Sequence, residues 1–72
     1  MDYNKILIAT ASMNLDIIKE KYKSLYVKIS TWAATDNYNF DDDDIAIMRK
    51  YGLMDMNGNI IKQVKDAAKL QL

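Results

Sequence analysis

The sequence predicts a small, mostly α-helical domain, and three observations support this class. Residues 1–51 contain neither Gly nor Pro, the two residues that most often interrupt a helix. Apolar residues recur at alternating spacings of three and four over residues 8–32, which is the period of a helix face. The two glycines, Gly52 and Gly58, fall where a helix end and a tight turn are expected. All 72 residues are predicted to form one domain.

The first predicted element is a long helix over about residues 3–34, with Asp2 as its cap and a kink near residues 12–14. Its a and d positions, called here the heptad seam, are Ile8, Ala11, Leu15, Ile18, Tyr22, Leu25, Ile29 and Trp32. Further apolar residues lie outside the seam, namely Ile6, Leu7, Met13, Ile17, Tyr26 and Val27. A helix that is apolar on several sides is expected to be covered on several sides.

An α+β fold is the alternative for this half of the chain. Residues 5–10 and 26–31 are rich in β-branched and aromatic residues, which favour strands. Residues 15–25 would then form a crossover helix between the two strands. The helix is favoured because the heptad spacing continues through both segments without interruption.

A second, short helix is predicted after a polar loop over residues 35–41. It begins with the acidic run Asp41–Asp44, which suits the positive end of a helix dipole, and extends to about Tyr51. Gly52 is predicted to be the left-handed residue that ends this helix, with Leu53 as its hydrophobic contact.

The last part of the chain predicts a turn followed by a third helix. Asn57-Gly58 is a strong signal for a tight turn or a mini-hairpin. Asn59 is then the expected N-cap of a C-terminal helix over about residues 60–70, whose apolar positions keep a helical spacing.

The composition excludes several classes of function. With no Cys and no His, the chain cannot build disulfides, thiol or histidine-based catalysis, or Cys/His zinc sites. No enzymatic activity, cofactor or metal is therefore predicted. No apolar run approaches the length of a membrane-spanning helix, so no membrane partner is expected. The lack of Cys suits the cytoplasm, and the bias toward Asn, Lys, Ile, Tyr and Asp suits the AT-rich genome of a phage or mobile element.

The heptad seam predicts a protein–protein interaction module. A chain of this size has a small core and often depends on a partner subunit for stability. We therefore expect the protein to self-associate as a homo-oligomer or to dock on a larger assembly. The predicted partner-binding residues on the seam are Leu15, Ile18, Tyr22, Leu25, Ile29 and Trp32.

The acidic run is the second candidate surface, formed by Asp41, Asp42, Asp43 and Asp44. It is either a solvated helix start or a site for a basic partner, as in a phage-type inhibitor of a nucleic-acid enzyme. A small DNA-binding regulator is a further alternative, because residues 49–59 are similar in layout to a helix followed by a hairpin wing. Nucleic acid is not the expected partner, since the chain has ten basic and ten acidic residues and this helix begins with carboxylates.

Overall fold

The computed structural model describes residues 3–71, which form four α-helices. They are α1 (Tyr3–Lys21), α2 (Lys23–Thr35), α3 (Asp42–Lys50) and α4 (Lys62–Leu70). The mostly α-helical class is confirmed. The alternative with two strands is wrong, because both segments proposed for them lie inside α1 and α2. Within residues 3–71, none of the helices combines the length and the apolar character that a membrane span requires.

The predicted long helix is divided at Tyr22. This residue has φ −133° and ψ 62°, outside the helical region, whereas residues 12–14, where a kink was expected, are helical. A straight helix over residues 3–35 would be about 50 Å long. The longest dimension of the molecule is only 36 Å, so the two helices change direction at this point. The expected cap Asp2 lies outside the described residues.

The bend allows α1 and α2 to share one packing partner, α4, which lies against both. Helix α4 contributes Val64, Ala67 and Ala68 to the resulting core, and these small side chains permit close approach of the helices. The buried apolar residues are Ala11, Leu15, Ile18, Leu25, Ile29, Ala33, Met48, Leu53, Val64, Ala67 and Ala68.

Helix α3 begins and ends with well-defined caps. At its start, the Asp44 backbone N–H donates to Asp41 Oδ1 (2.8 Å), and the Asp41 N–H donates to Asp44 Oδ2 (3.2 Å), which is a capping box. At its end, Gly52 has φ +70°, as predicted, and its N–H donates to the Arg49 carbonyl. The Leu53 N–H donates to the Met48 carbonyl (2.9 Å), which completes a Schellman motif between two buried side chains.

A compact turn joins α3 to α4, with one antiparallel bridge between Met54 and Ile60. Asp55 Oδ1 accepts the backbone N–H groups of Asn57 and Asn59, and Gly58 has φ +82°. The mini-hairpin is thus reduced to a single bridge. The expected N-cap at Asn59 is wrong, because α4 begins two residues later, after an Ile61 cap that makes no side-chain hydrogen bond.

Candidate functional site

The heptad seam lies mainly in the core of the same chain. Leu15 and Ile18 on α1 and Leu25 and Ile29 on α2 retain at most 3% of their surface exposed. These four predicted interface residues are therefore not on the surface, because the bend at Tyr22 and the packing of α4 cover them. A partner can reach them only if α1 and α2 separate from α4.

The other two predicted interface residues, Tyr22 and Trp32, are half-buried at the edges of the core. The Tyr22 ring meets the Tyr51 ring edge-on, with centroids 6.4 Å apart. Lys65 Nζ lies 5.3 Å from the centroid of the Trp32 ring and is also ion-paired with Asp36. Both aromatic side chains thus already have partners within the chain, which limits what they can offer to another molecule.

The acidic run is divided between structural and exposed carboxylates. Asp44 is buried, and its Oδ2 lies 2.8 Å from Lys28 Nζ on α2, while Asp41 Oδ2 lies 3.8 Å from the same nitrogen. Asp42 and Asp43 are exposed in the first turn of α3. Asp41 and Asp44 therefore cap the start of α3 and attach it to α2, and Asp44 alone is buried, while Asp41, Asp42 and Asp43 remain exposed.

The ionisation of this cluster follows from its contacts. The hydrogen bond from Lys28 to the Asp44 carboxylate is the main reason that the pKa of Lys28 is raised above 10.5. The backbone N–H of Asp44 is the main reason that the pKa of Asp41 is lowered below 3.8, with Lys28 contributing to a smaller extent. The cluster is thus a small ion-pair network that links α2 to the start of α3.

A different apolar surface is exposed on α1. Tyr3, Ile6, Met13 and Ile17 are 71%, 42%, 69% and 38% exposed, and we call this set the outer face of α1. Thr10 completes its spacing of three and four, and the Thr10 hydroxyl donates to the Ile6 carbonyl within the helix. Helix α1 therefore has two apolar faces, of which the core covers one.

The outer face was only partly visible in the sequence. The sequence marks Ile6, Met13 and Ile17 as apolar residues outside the seam, whereas Tyr3 does not belong to that set. The repeat of three and four that starts at Tyr3 is a signal that was available, but it is interrupted by Thr10 and ends in Glu20. Which of the two repeats would be buried depends on where α4 packs, and spacing alone does not determine that.

Residues 3–71 enclose no cavity and contain no group of three acidic side chains placed to hold a metal ion. Comparison of the chain with protein-family models, with curated proteins and with solved structures finds no significant match. The outer face of α1 remains as an exposed apolar surface on this fold.

Proposed function

We propose that this protein is a non-enzymatic protein–protein interaction module that binds its partner through the outer face of α1. The observation that carries the proposal is the second apolar repeat on α1, which remains exposed after the core has formed. Contiguous exposed apolar side chains on a soluble domain often mark interaction sites. We further propose that the protein is cytoplasmic, because a chain without Cys suits a reducing compartment. The origin in a phage or mobile element stays a prediction.

The size of the outer face indicates a weak or transient interaction. Taking about 200 Å² for a fully exposed large side chain, its four residues offer roughly 450 Å². Together with a similar area on the partner, the contact approaches about 1,000 Å², the lower limit for a specific interface. A cost of several kcal/mol for lost rotational and translational freedom reduces the net affinity further.

The side chains of the outer face indicate what the partner presents. Tyr3 is a large amphipathic ring, Met13 is flexible and polarizable, and Ile17 is rigid and branched. This mixture fits an apolar groove or the apolar face of another helix, which an exposed helix contacts through positions three and four apart. The partner is either a second copy of this chain or a protein of a larger assembly.

The test is Met13→Glu, which places a charge in the centre of the outer face. Met56→Glu is the matched control, because it makes the same change at a fully exposed turn residue that lies outside the face. Each variant is compared with the wild type for the mass of its complex, by sedimentation of the purified protein and by capture from the native source. We expect Met13→Glu to lose the complex and Met56→Glu to retain it.

Equal complex formation by Met13→Glu and the wild type would show that the outer face is not the contact surface. Circular dichroism of both variants ensures that a lost complex reflects the surface and not the fold. The acidic-inhibitor and DNA-binding interpretations stay predictions. Of the carboxylates on which the inhibitor interpretation depends, Asp41, Asp42 and Asp43 are exposed. Their charge at the start of α3 opposes the contact with phosphates that the DNA-binding interpretation requires.

A further inference from the structure

The bend between α1 and α2 has no local cause in the sequence. Sharp helix bends normally occur at Pro, at Gly/Ser pairs, at π-bulges or at an inserted group. The chain has neither Gly nor Pro near Tyr22, and Tyr22 is the one residue between α1 and α2. Since the heptad spacing also continues through the bend, the local sequence is compatible with one straight helix over residues 3–35.

The hydrogen bonds at the bend are close to those of a continuous helix. The Tyr22 N–H donates to the Ile18 carbonyl (2.7 Å), and the Tyr26 N–H donates to the Tyr22 carbonyl (3.0 Å), both with helical spacing. In a continuous helix, the N–H groups of residues 23–25 would donate three further bonds to carbonyls of α1. These three bonds are not formed between the described residues of α1 and α2. Straightening at Tyr22 would therefore add backbone hydrogen bonds and keep the two that are already present.

The bend is held by tertiary contacts of α1 with the rest of the chain. Gln71 Nε2 donates to Ser12 Oγ (2.9 Å) and Asp16 Oδ1 (3.1 Å) on α1, while Gln71 Oε1 accepts from the Tyr26 hydroxyl on α2 (2.9 Å). Asn14 Nδ2 likewise donates to a backbone carbonyl at the end of α3. The hydrogen bonds of Ser12, Asp16 and Asn14 depend on where α1 lies, but not on which copy of the chain supplies α1. The Tyr26–Gln71 hydrogen bond joins α2 to the residue after α4 and does not involve α1.

We propose that two copies of this protein exchange α1 by straightening at Tyr22. The α1 of each copy then packs on α2 and α4 of the other, which restores between chains the core contacts of α1 and its hydrogen bonds with Gln71. The packing of α2 on α4 and the Tyr26–Gln71 hydrogen bond stay within each chain. Exchange of an identical element is a low-cost route to a dimer, because it requires no new interface. Leu15 and Ile18, which are buried within one chain in the monomer, become the intermolecular contact. This inference does not depend on the outer face of α1.

The first test compares two substitutions of the hinge residue, Tyr22→Ala and Tyr22→Gly. Both remove the contact with the Tyr51 ring, so that loss cancels in the comparison. Alanine favours the helical conformation of the hinge over glycine by about 5-fold. Because a dimer has two hinges, the association constant of Tyr22→Ala should be about 30-fold higher than that of Tyr22→Gly. Sedimentation after warming, which permits exchange, measures the two constants. Equal constants, or no dimer of Tyr22→Ala at any attainable concentration, would overturn the proposal.

The second test identifies the exchange directly. Gln63 Nε2 of α4 donates to Asn4 Oδ1 of α1 (2.8 Å), so Asn4→Cys and Gln63→Cys together place one thiol on each side of this contact in a chain that has no other Cys. Because these two side chains meet at their ends, the thiols are joined with a short bis-maleimide cross-linker, which spans more than a disulfide does. Cross-linking of the isolated dimer should give a covalent dimer in denaturing mass measurement. A cross-link confined within single chains would refute the exchange. Adding Met13→Glu should not change this result, which separates the exchange from the proposed function of the outer face.

Discussion

Replacing Leu15 by alanine tests whether the heptad seam is the core of the monomer. Leu15 has no exposed surface and lies where α1 faces the rest of the buried cluster. Transfer of its side chain from water contributes about 2 kcal/mol, and the cavity left behind raises the total to about 3 kcal/mol. A domain of this size has only about 3–5 kcal/mol of net stability. We therefore expect Leu15→Ala to lower the melting temperature by roughly 12–24 °C.

Leu70→Ala is the matched control, because Leu70 is 78% exposed near the end of α4. The same chemical change there should cost less than about 0.5 kcal/mol. Urea unfolding followed by circular dichroism gives the free energy of unfolding of both variants. If Leu15→Ala lost no more stability than Leu70→Ala, the seam would not form the core of the monomer. The seam would then be available to a partner, and the outer face of α1 would not be the favoured interaction surface.

Two further predictions concern the ends and charges of α3. Gly52→Ala should lower the free energy of unfolding by about 1–2 kcal/mol, because Gly52 has φ +70° and alanine is strained in this left-handed conformation. An added Cβ meets nothing within 4 Å, so no steric clash contributes to this loss. Gly52→Asn should lose less stability in the same thermal unfolding experiment, because asparagine tolerates the left-handed conformation better. The contribution of Asp41, whose pKa is lowered, is present above its unfolded pKa of about 3.8 and is lost as the pH falls through the folded pKa. That of Lys28, whose pKa is raised, is present below 10.5 and is lost as the pH rises through its folded pKa. The urea midpoint should therefore fall at both extremes, and a midpoint of Lys28→Met with the same alkaline decline as the wild type would contradict this account.

The end of α3 shows where sequence reasoning is strongest. Gly52 and Leu53 could be assigned because a Schellman motif depends on residues within one turn of each other, so the information is local. The acidic start was also predictable, since the macrodipole favours carboxylates there. That Asp44 rather than Asp42 turns inward was not predictable, because this depends on Lys28 from a different helix.

The bend at Tyr22 shows the opposite case. The spacing of three and four is the same in one straight helix and in two helices that share a packing partner, so the seam residues could be identified but their direction could not. The position of the bend is set by α4, which is more than 25 residues away in sequence from the end of α2. Because the spacing does not show where α4 packs, it predicts the core face of α1 as an interface. The face that remains exposed is visible in the sequence only as apolar residues outside the seam.

The contact between Trp32 and Lys65 makes the protein's single tryptophan a reporter of one half of the fold. Trp32 is on α2 and Lys65 is on α4, so the fluorescence of the indole should follow the association of these two helices. Far-UV circular dichroism follows all four helices together. The two signals should change together if the chain unfolds in one step. Release of α1 alone should separate them, which allows exchange to be followed without any added label.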